Sequence, residues 1–148
     1  MSALSAVVIT FNEEKKIEQC ILSLKKVADE IVVVDSFSSD NTMAICEKLG
    51  IKTVQHAFGG YIEQKNFALN HATHKMVLSL DADEMLSDKL VESILAEKQK
   101  DFPADGYTMN RLNNYCGKWI RHCGWYPDRK LRLARPIPHG GNAVLRDR

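Results

Sequence analysis

Two apolar runs of mostly β-branched residues constrain the fold of this chain more than any other feature: Val7-Val8-Ile9-Thr10 and Ile31-Val32-Val33-Val34. Branching at Cβ favours extended backbone, and runs without polar alternation suit strands covered on both faces. Four segments read as strands, over residues 6–10, 31–35, 52–55 and 76–80. Helical patterns lie between them. Residues 13–27 space Ile17, Ile21, Leu22 and Leu24 along one face, and residues 41–49 follow a Ser-Ser-Asp cap and stop at Gly50. Residues 62–72 and 89–98 complete the set. Strands alternating with helices predict right-handed βαβ units and a mostly parallel sheet flanked by helices, a Rossmann-like α/β fold.

After Asp101 the texture changes. Residues 102–106 form a turn, and the remainder carries Trp, Tyr, Gly, Arg and Pro without strong periodicity, as short strands and loops appended to the sheet. The 148 residues suit a single domain, 1–148, with a βαβ part over 1–101 and an appended segment over 102–148. The segment stops at Arg148 without a closing element and reads as truncated. No run of 18 or more apolar residues is present, and the N-terminal apolar stretch reads as a buried strand, not a signal peptide. Cys20, Cys46, Cys116 and Cys123 lack zinc-knuckle spacing and suit reduced thiols in a cytoplasmic protein.

Charge is divided unevenly. Residues 1–108 hold 11 Lys and Arg against 17 Asp and Glu, whereas residues 109–148 hold 9 against 2. The basic last third suits an anionic partner, whether phosphate, an acidic glycolipid or a membrane surface touched peripherally, or it is a solvated face. No recognition motif accompanies it, so no nucleic acid is expected.

Each strand ends in polar residues: Thr10-Phe11-Asn12-Glu13, Asp35-Ser36-Phe37-Ser38-Ser39-Asp40, and Asp81-Ala82-Asp83-Glu84. In an open parallel sheet these fall on the carboxyl edge, where ligands bind at the reversal of strand order. A 3-2-1-4 order would bring Asp35, Asn12 and Asp81 from three adjacent strands to one place. Clustered carboxylates repel unless something positive sits between them, and Mg²⁺ or Mn²⁺ takes one or two carboxylates plus phosphate oxygens. The spacing Asp81-Ala82-Asp83 lets one carboxylate take a ribose hydroxyl and the other a metal. Neither G-x-x-x-x-G-K-[ST] nor G-x-G-x-x-G occurs, so a diphosphate would be met by metal and by basic side chains such as Lys65.

Val7-Val8-Ile9-Thr10-Phe11-Asn12-Glu13-Glu14, Ile31-Val32-Val33-Val34-Asp35-Ser36 with Asp40 and Thr42, and Leu78-Ser79-Leu80-Asp81-Ala82-Asp83-Glu84 resemble family 2 glycosyltransferases. Gly124-Trp125-Tyr126-Pro127-Asp128 with Leu131-Arg132-Leu133 looks like the bacterial subgroup that adds sugars to the lipopolysaccharide inner core. The resemblance covers about residues 5–135 and implies a GT-A fold holding an activated sugar, usually on UDP. By that analogy Thr10, Phe11, Asn12 and Glu13 line the nucleoside pocket, Asp35 contacts the base, Asp81 faces the ribose, Lys65 stands near the nucleotide, and Asp83 is the principal ligand of Mg²⁺ or Mn²⁺. It also implies an inverting displacement, and Asp128 is the candidate base because it sits in an aromatic and basic segment where an acceptor should dock. A salt bridge from Asp128 to Arg129 or Arg132 is the competing reading, and Glu84 the weaker base. The implied partners are a UDP-sugar donor and a glycan or glycolipid acceptor, with a homodimer and peripheral membrane contact left open. Phe37 departs from the subgroup, which carries a small residue there, often Gly.

Trp119, Trp125 and Tyr126 suit either sugar stacking or the core, and His122 and His139 suit structural roles before phosphate or metal. Rival readings are a sugar-phosphate nucleotidyltransferase, whose Gly-rich signature is missing, a receiver-like signalling module, and a nucleotide-binding pseudoenzyme or inactive fragment. A receiver would end its third strand in aspartate, whereas residues here read Gln55-His56.

Overall fold

The computed structural model describes residues 2–104, 106–111, 113–115, 118–120, 128–135, 137–139 and 142–144, with side chains for 2–104, 106–107 and 133–135. Strands β1 (Leu4–Thr10), β2 (Glu30–Asp35), β3 (Lys52–Gln55) and β4 (Met76–Asp81) alternate with helices α1 (Ile17–Leu24), α2 (Thr42–Lys48), α3 (Tyr61–Leu69) and α4 (Asp88–Gln99). There follow β5 (Gly106–Arg111), β6 (Asn113–Tyr115), β7 (Lys118–Ile120), β8 (Asp128–Ala134), β9 (Ile137–His139) and β10 (Asn142–Val144). The main sheet runs β3-β2-β1-β4-β8-β5. Its first four strands are parallel in the expected 3-2-1-4 order, and β8 and β5 join antiparallel.

Period-two alternation divides the buried strand residues between two cores. Ala6, Val8, Val33, Leu78 and Leu80 pack with Ile17, Ile21 and Leu24 of α1, Cys46 of α2, and Val91 and Ile94 of α4. Val7, Val32, Val34 and Val77 face the other way, onto Ala68 and Leu69 of α3. Among the described helices α3 alone joins this second core, so its seating decides what reaches that side of the carboxyl edge. Helix α2 ends as its sequence suggests: Gly50 takes φ 73, and the Gly50 and Ile51 amides donate to the Glu47 and Cys46 carbonyls at 3.0 and 3.1 Å. Helix α1 is shorter than the periodicity of residues 13–27, and its flanks make tertiary bonds. The Glu13 and Glu14 amides donate to Thr42 Oγ1 and Asp40 Oδ2, and the Val27 carbonyl accepts from Lys98.

Lys98 on α4 is nearly buried, which is costly for an ammonium unless it is paired. Its Nζ lies 2.7 Å from Asp29 Oδ2 and donates to the Val27 carbonyl at 3.0 Å. Asp29 Oδ2 also accepts the Leu4 amide at 2.8 Å, so one carboxylate straps α4 to the starts of β1 and β2. Burial pushes the Asp29 carboxyl up, but the Lys98 and Leu4 hydrogen bonds outweigh it and hold it below its ordinary 3.8. A depressed carboxylate contributes stability above its unfolded value, and that contribution is lost as pH falls through the folded one. Urea unfolding followed against pH is therefore expected to show stability falling below about pH 3.8, with a visibly smaller fall in Asp29→Asn. An equal fall in both proteins would refute the strap.

Candidate active site

The loops after β1 and β2 are stitched to each other across the sheet edge. The Ser36 amide donates to the Thr10 carbonyl at 3.0 Å. The Asn12 amide donates to Ser38 Oγ at 2.8 Å, and the Ser39 amide returns to Asn12 Oδ1 at 2.8 Å. Asn12 sits at φ 50, a left-handed conformation that asparagine tolerates better than most residues. Asp40 accepts the Thr42 amide at 2.9 Å at the start of α2, and Glu14 Oε2 accepts the Asn41 amide at 3.0 Å. Much of the polar content at these strand ends is thus committed within the protein.

Asp35 is fully buried, and its carboxylate accepts the Ser38 amide at 2.8 Å and the Ser38 hydroxyl at 2.5 Å. The aspartate expected to meet a base therefore also builds the turn that would hold one. Thr10 is the opposite case. It is 5% exposed, and its hydroxyl is the buried side-chain oxygen left without a hydrogen-bond partner among the described residues. Such an orphan costs about 1–3 kcal/mol unless a ligand or water satisfies it. Phe11, expected in the same pocket, is exposed beside it in sequence. Phe37 is exposed too and adopts φ 59, a conformation that glycine takes without strain. The phenylalanine changes the side chain at this corner, and the backbone keeps the shape that suits glycine.

At the end of β4 the chain turns tightly. The Asp81 amide donates to Glu84 Oε1 at 2.9 Å, and the Glu84 amide donates to the Asp81 carbonyl at 2.9 Å. Lys65 Nζ, on α3, lies 4.0 Å from Asp81 Oδ1, with both side chains about a third exposed. Asp83 stands exposed beyond Asp81. Glu13 feels this arrangement: burial, then the Asp83 charge, push its carboxyl above the ordinary 4.5, with Lys16 opposing and Asp40 adding. The same negative field reaches inward. Burial, then the Glu84, Asp83 and Asp81 charges, push the Cys20 thiol far up, and burial with Asp35 pushes Cys46 up to about 11. Both cysteines are free and buried, as expected of inert thiols.

The donor chemistry fits a hard divalent cation: an exposed Asp83 carboxylate, with Glu13 under like-charge pressure from it. Among the described residues no group of three or more His, Cys, Asp or Glu side chains converges on one point. An ion held here would therefore have one or two protein carboxylates and would complete its shell with phosphate and water. A cavity of about 840 Å³ lies instead along the outer flank of α3, lined by His56, Gly59, Tyr61, Asn66 and Phe67 among others. None of the strand-end carboxylates lines it. The Lys65–Asp81 pair and the Thr10 hydroxyl likewise lie outside its lining.

Strand β8 runs antiparallel to β4, with Ala134 opposite Val77 and Leu133 opposite Leu78. Its first residue, Asp128, therefore stands toward the carboxyl edge, in register with Arg111 of β5. The Asp128 side chain and those of Arg129, Arg132, Trp119 and His139 lie outside the described residues, as do Cys116, His122, Cys123, Trp125 and Tyr126 altogether. A residue passed over in the sequence is Gln64, which is 1% exposed and hydrogen-bonds to Ser36 and His56. Its only sequence signal was a polar residue on the inward face of α3, beside Lys65.

The sequence profile of glycosyl transferase family 2 matches residues 5–145. The chain belongs to that family. Family membership sets aside the nucleotidyltransferase and receiver readings. The chain is 45% identical over 101 residues to an uncharacterized glycosyltransferase of Rickettsia conorii, covering 66% of this chain and 36% of the relative. It is 39% identical over 99 residues to the lipopolysaccharide core biosynthesis glycosyltransferase LpsC of Rhizobium meliloti, covering 64% and 36%. The crystal structure of Staphylococcus aureus TarS 1–349 in complex with UDP superposes with a TM-score of 0.57 at 32% identity, covering 66% of this chain and 32% of that one. Glucosyl-3-phosphoglycerate synthase from Mycobacterium tuberculosis, in complex with Mn²⁺, UDP and phosphoglyceric acid, superposes at 0.52 and 26%, covering 57% and 34%. The fold is the GT-A fold of these enzymes, and the chain spans about a third of the length of the curated relatives it matches. Among the described residues no helix is long and apolar enough to cross a membrane.

Proposed function

We propose that this family 2 glycosyltransferase moves a sugar from a UDP-sugar to a glycan or glycolipid acceptor, with inversion at the anomeric carbon. One observation carries the reading: the β2-β1-β4 order brings the Thr10 hydroxyl, unpartnered among the described residues, the Asp35 turn, the Lys65–Asp81 pair and exposed Asp83 to one sheet edge. In this reading Thr10, Phe11, Asn12 and Glu13 bound the nucleoside pocket, Asp35 faces the base and Asp81 the ribose. The Lys65 ammonium, held beside Asp81, adds positive charge toward the diphosphate. Asp83 would hold Mg²⁺ or Mn²⁺, which when bound would supply Lewis acidity to neutralise the diphosphate leaving group. The presence of UDP in the TarS complex, and of Mn²⁺ with UDP in the mycobacterial synthase complex, supports both choices.

The chain's own residues do the rest. Asp128, at the edge end of β8, takes the proton of the acceptor hydroxyl as its oxygen bonds to the anomeric carbon. The bond from that carbon to the β-phosphate oxygen breaks, and its electron pair leaves with UDP. Residues 102–148 form the acceptor side, and the excess of Lys and Arg over 109–148 suits a phosphorylated glycolipid at an anionic membrane surface. The LpsC relative supports lipopolysaccharide core as the acceptor class. Calorimetric titration of UDP into the protein, with and without Mn²⁺, tests the donor assignment. Binding that tightens with Mn²⁺ is the expected result. A folded protein that takes up no UDP under either condition would remove it.

A further inference from the structure

We infer that Gln64 is a positioning residue of the nucleotide pocket: its buried carboxamide locks the turn that carries Asp35 onto α3, so that Asp35 and Lys65 face one ligand. The inference rests on the UDP-sugar reading above and adds to it a residue that touches no substrate.

A carboxamide that is 1% exposed must satisfy its donors and its acceptor inside the protein. Gln64 Nε2 donates to Ser36 Oγ at 3.0 Å and to the His56 carbonyl at 3.3 Å, while Oε1 lies 2.9 Å from His56 Nδ1. The orientation of the amide is decided by chemistry. A carbonyl oxygen only accepts, so nitrogen must face the His56 carbonyl, oxygen faces the ring, and His56 carries its proton on Nδ1. The His56 ring is held from its face by Phe67, with centroids 3.8 Å apart and planes at 20°.

These contacts surround Asp35. The His56 amide donates to the Asp35 carbonyl at 2.9 Å, and Gln64 grips Ser36, the next residue. From there the Asp35 carboxylate gathers the Ser38 amide and hydroxyl, and Ser38 Oγ accepts the Asn12 amide. On α3 the residue after Gln64 is Lys65, 4.0 Å from Asp81. Two consecutive helical residues therefore address two strand ends, one by buried hydrogen bonds and one by charge. Seating α3 through Gln64 fixes the distance between them.

Gln64→Glu tests this in the 148-residue chain. It keeps the size and the oxygen facing His56 and replaces the donating NH₂ by oxygen. Hydrogen exchange of the Ser38 amide, which donates to Asp35, is expected to speed up roughly tenfold, the weight of about one hydrogen bond. The Val33 amide in β2 should keep its wild-type rate, and UDP affinity should fall at least about tenfold. Ser36→Ala removes one of the two donor contacts and should act in the same direction, more weakly. It carries the test by itself if Gln64→Glu does not fold. Equal loss of protection at Ser38 and Val33 would mean general destabilisation, and no change at Ser38 would mean no coupling. Either outcome overturns the inference. Should the wild-type protein bind no UDP, the donor assignment fails, and the exchange pattern alone decides the role of Gln64.

Discussion

Asp128→Asn is expected to slow sugar transfer about 10²–10⁴-fold while leaving UDP binding near that of the parent protein. Asparagine matches aspartate in shape but has no basic oxygen to receive the acceptor proton. A loss of that size corresponds to about 3–5 kcal/mol on the barrier. The effect should fall on turnover because Asp128 stands at the start of β8, with β4 between it and the β1 and β2 ends expected to hold the nucleoside. Its strand-mate Arg111 is on β5, at the far edge of the sheet, so the exchange leaves the β1–β4 ladder untouched. Release of UDP from a UDP-sugar, measured with a core oligosaccharide as acceptor, reads the rate, and calorimetry reads the binding. Near-normal turnover with intact donor affinity would transfer the base to another group, Glu84 first.

Asp83→Ala should remove the Mn²⁺-dependent part of UDP affinity, about 100-fold or more. Losing a group that merely orients a metal ligand already costs roughly 10–100-fold. The same substitution should not weaken the fold. Asp83 is exposed, and after burial it is the largest influence pushing the Glu13 carboxyl up. A carboxyl whose folded pKa is raised above 4.5 detracts from stability at neutral pH, so removing Asp83 relieves a repulsion. The expected signature is a ligand lost with the urea midpoint kept or slightly raised at pH 7. An unchanged response to Mn²⁺ would show that the metal, if used, is held elsewhere. A lowered midpoint would show that Asp83 has a structural partner.

Much of the fold that carries these residues is legible in the sequence. Val7 to Thr10 and Ile31 to Asp35 could be read as covered strands because their burial on both faces is written in composition alone. The helix stop at Gly50 was legible for an equally local reason, since a left-handed residue after a helix calls for glycine. What each polar side chain does there was less legible. Asn12, Asp35 and Asp40 read as residues of the ligand edge in sequence, and each also holds a backbone amide in the fold. Thr10, which looks no different from its neighbours, is the one with an unpartnered buried hydroxyl among the described residues.

The sequence by itself determined the strands, the helices between them and, through right-handed crossovers, the edge on which Thr10, Asp35 and Asp81 would gather. These follow from periodicities of two and 3.6 and from backbone chirality, properties that contiguous residues carry with them. Only the tertiary structure decided that Lys65 meets Asp81, that Gln64 is buried between Ser36 and His56, and that Phe37 holds a glycine-like conformation. Partners 16 residues apart, such as Lys65 and Asp81, or 28 apart, such as Gln64 and Ser36, meet only once the sheet has set the spacing of its strands and α3 has docked on it. A hydrogen bond or ion pair depends on ångström distances that no local pattern encodes.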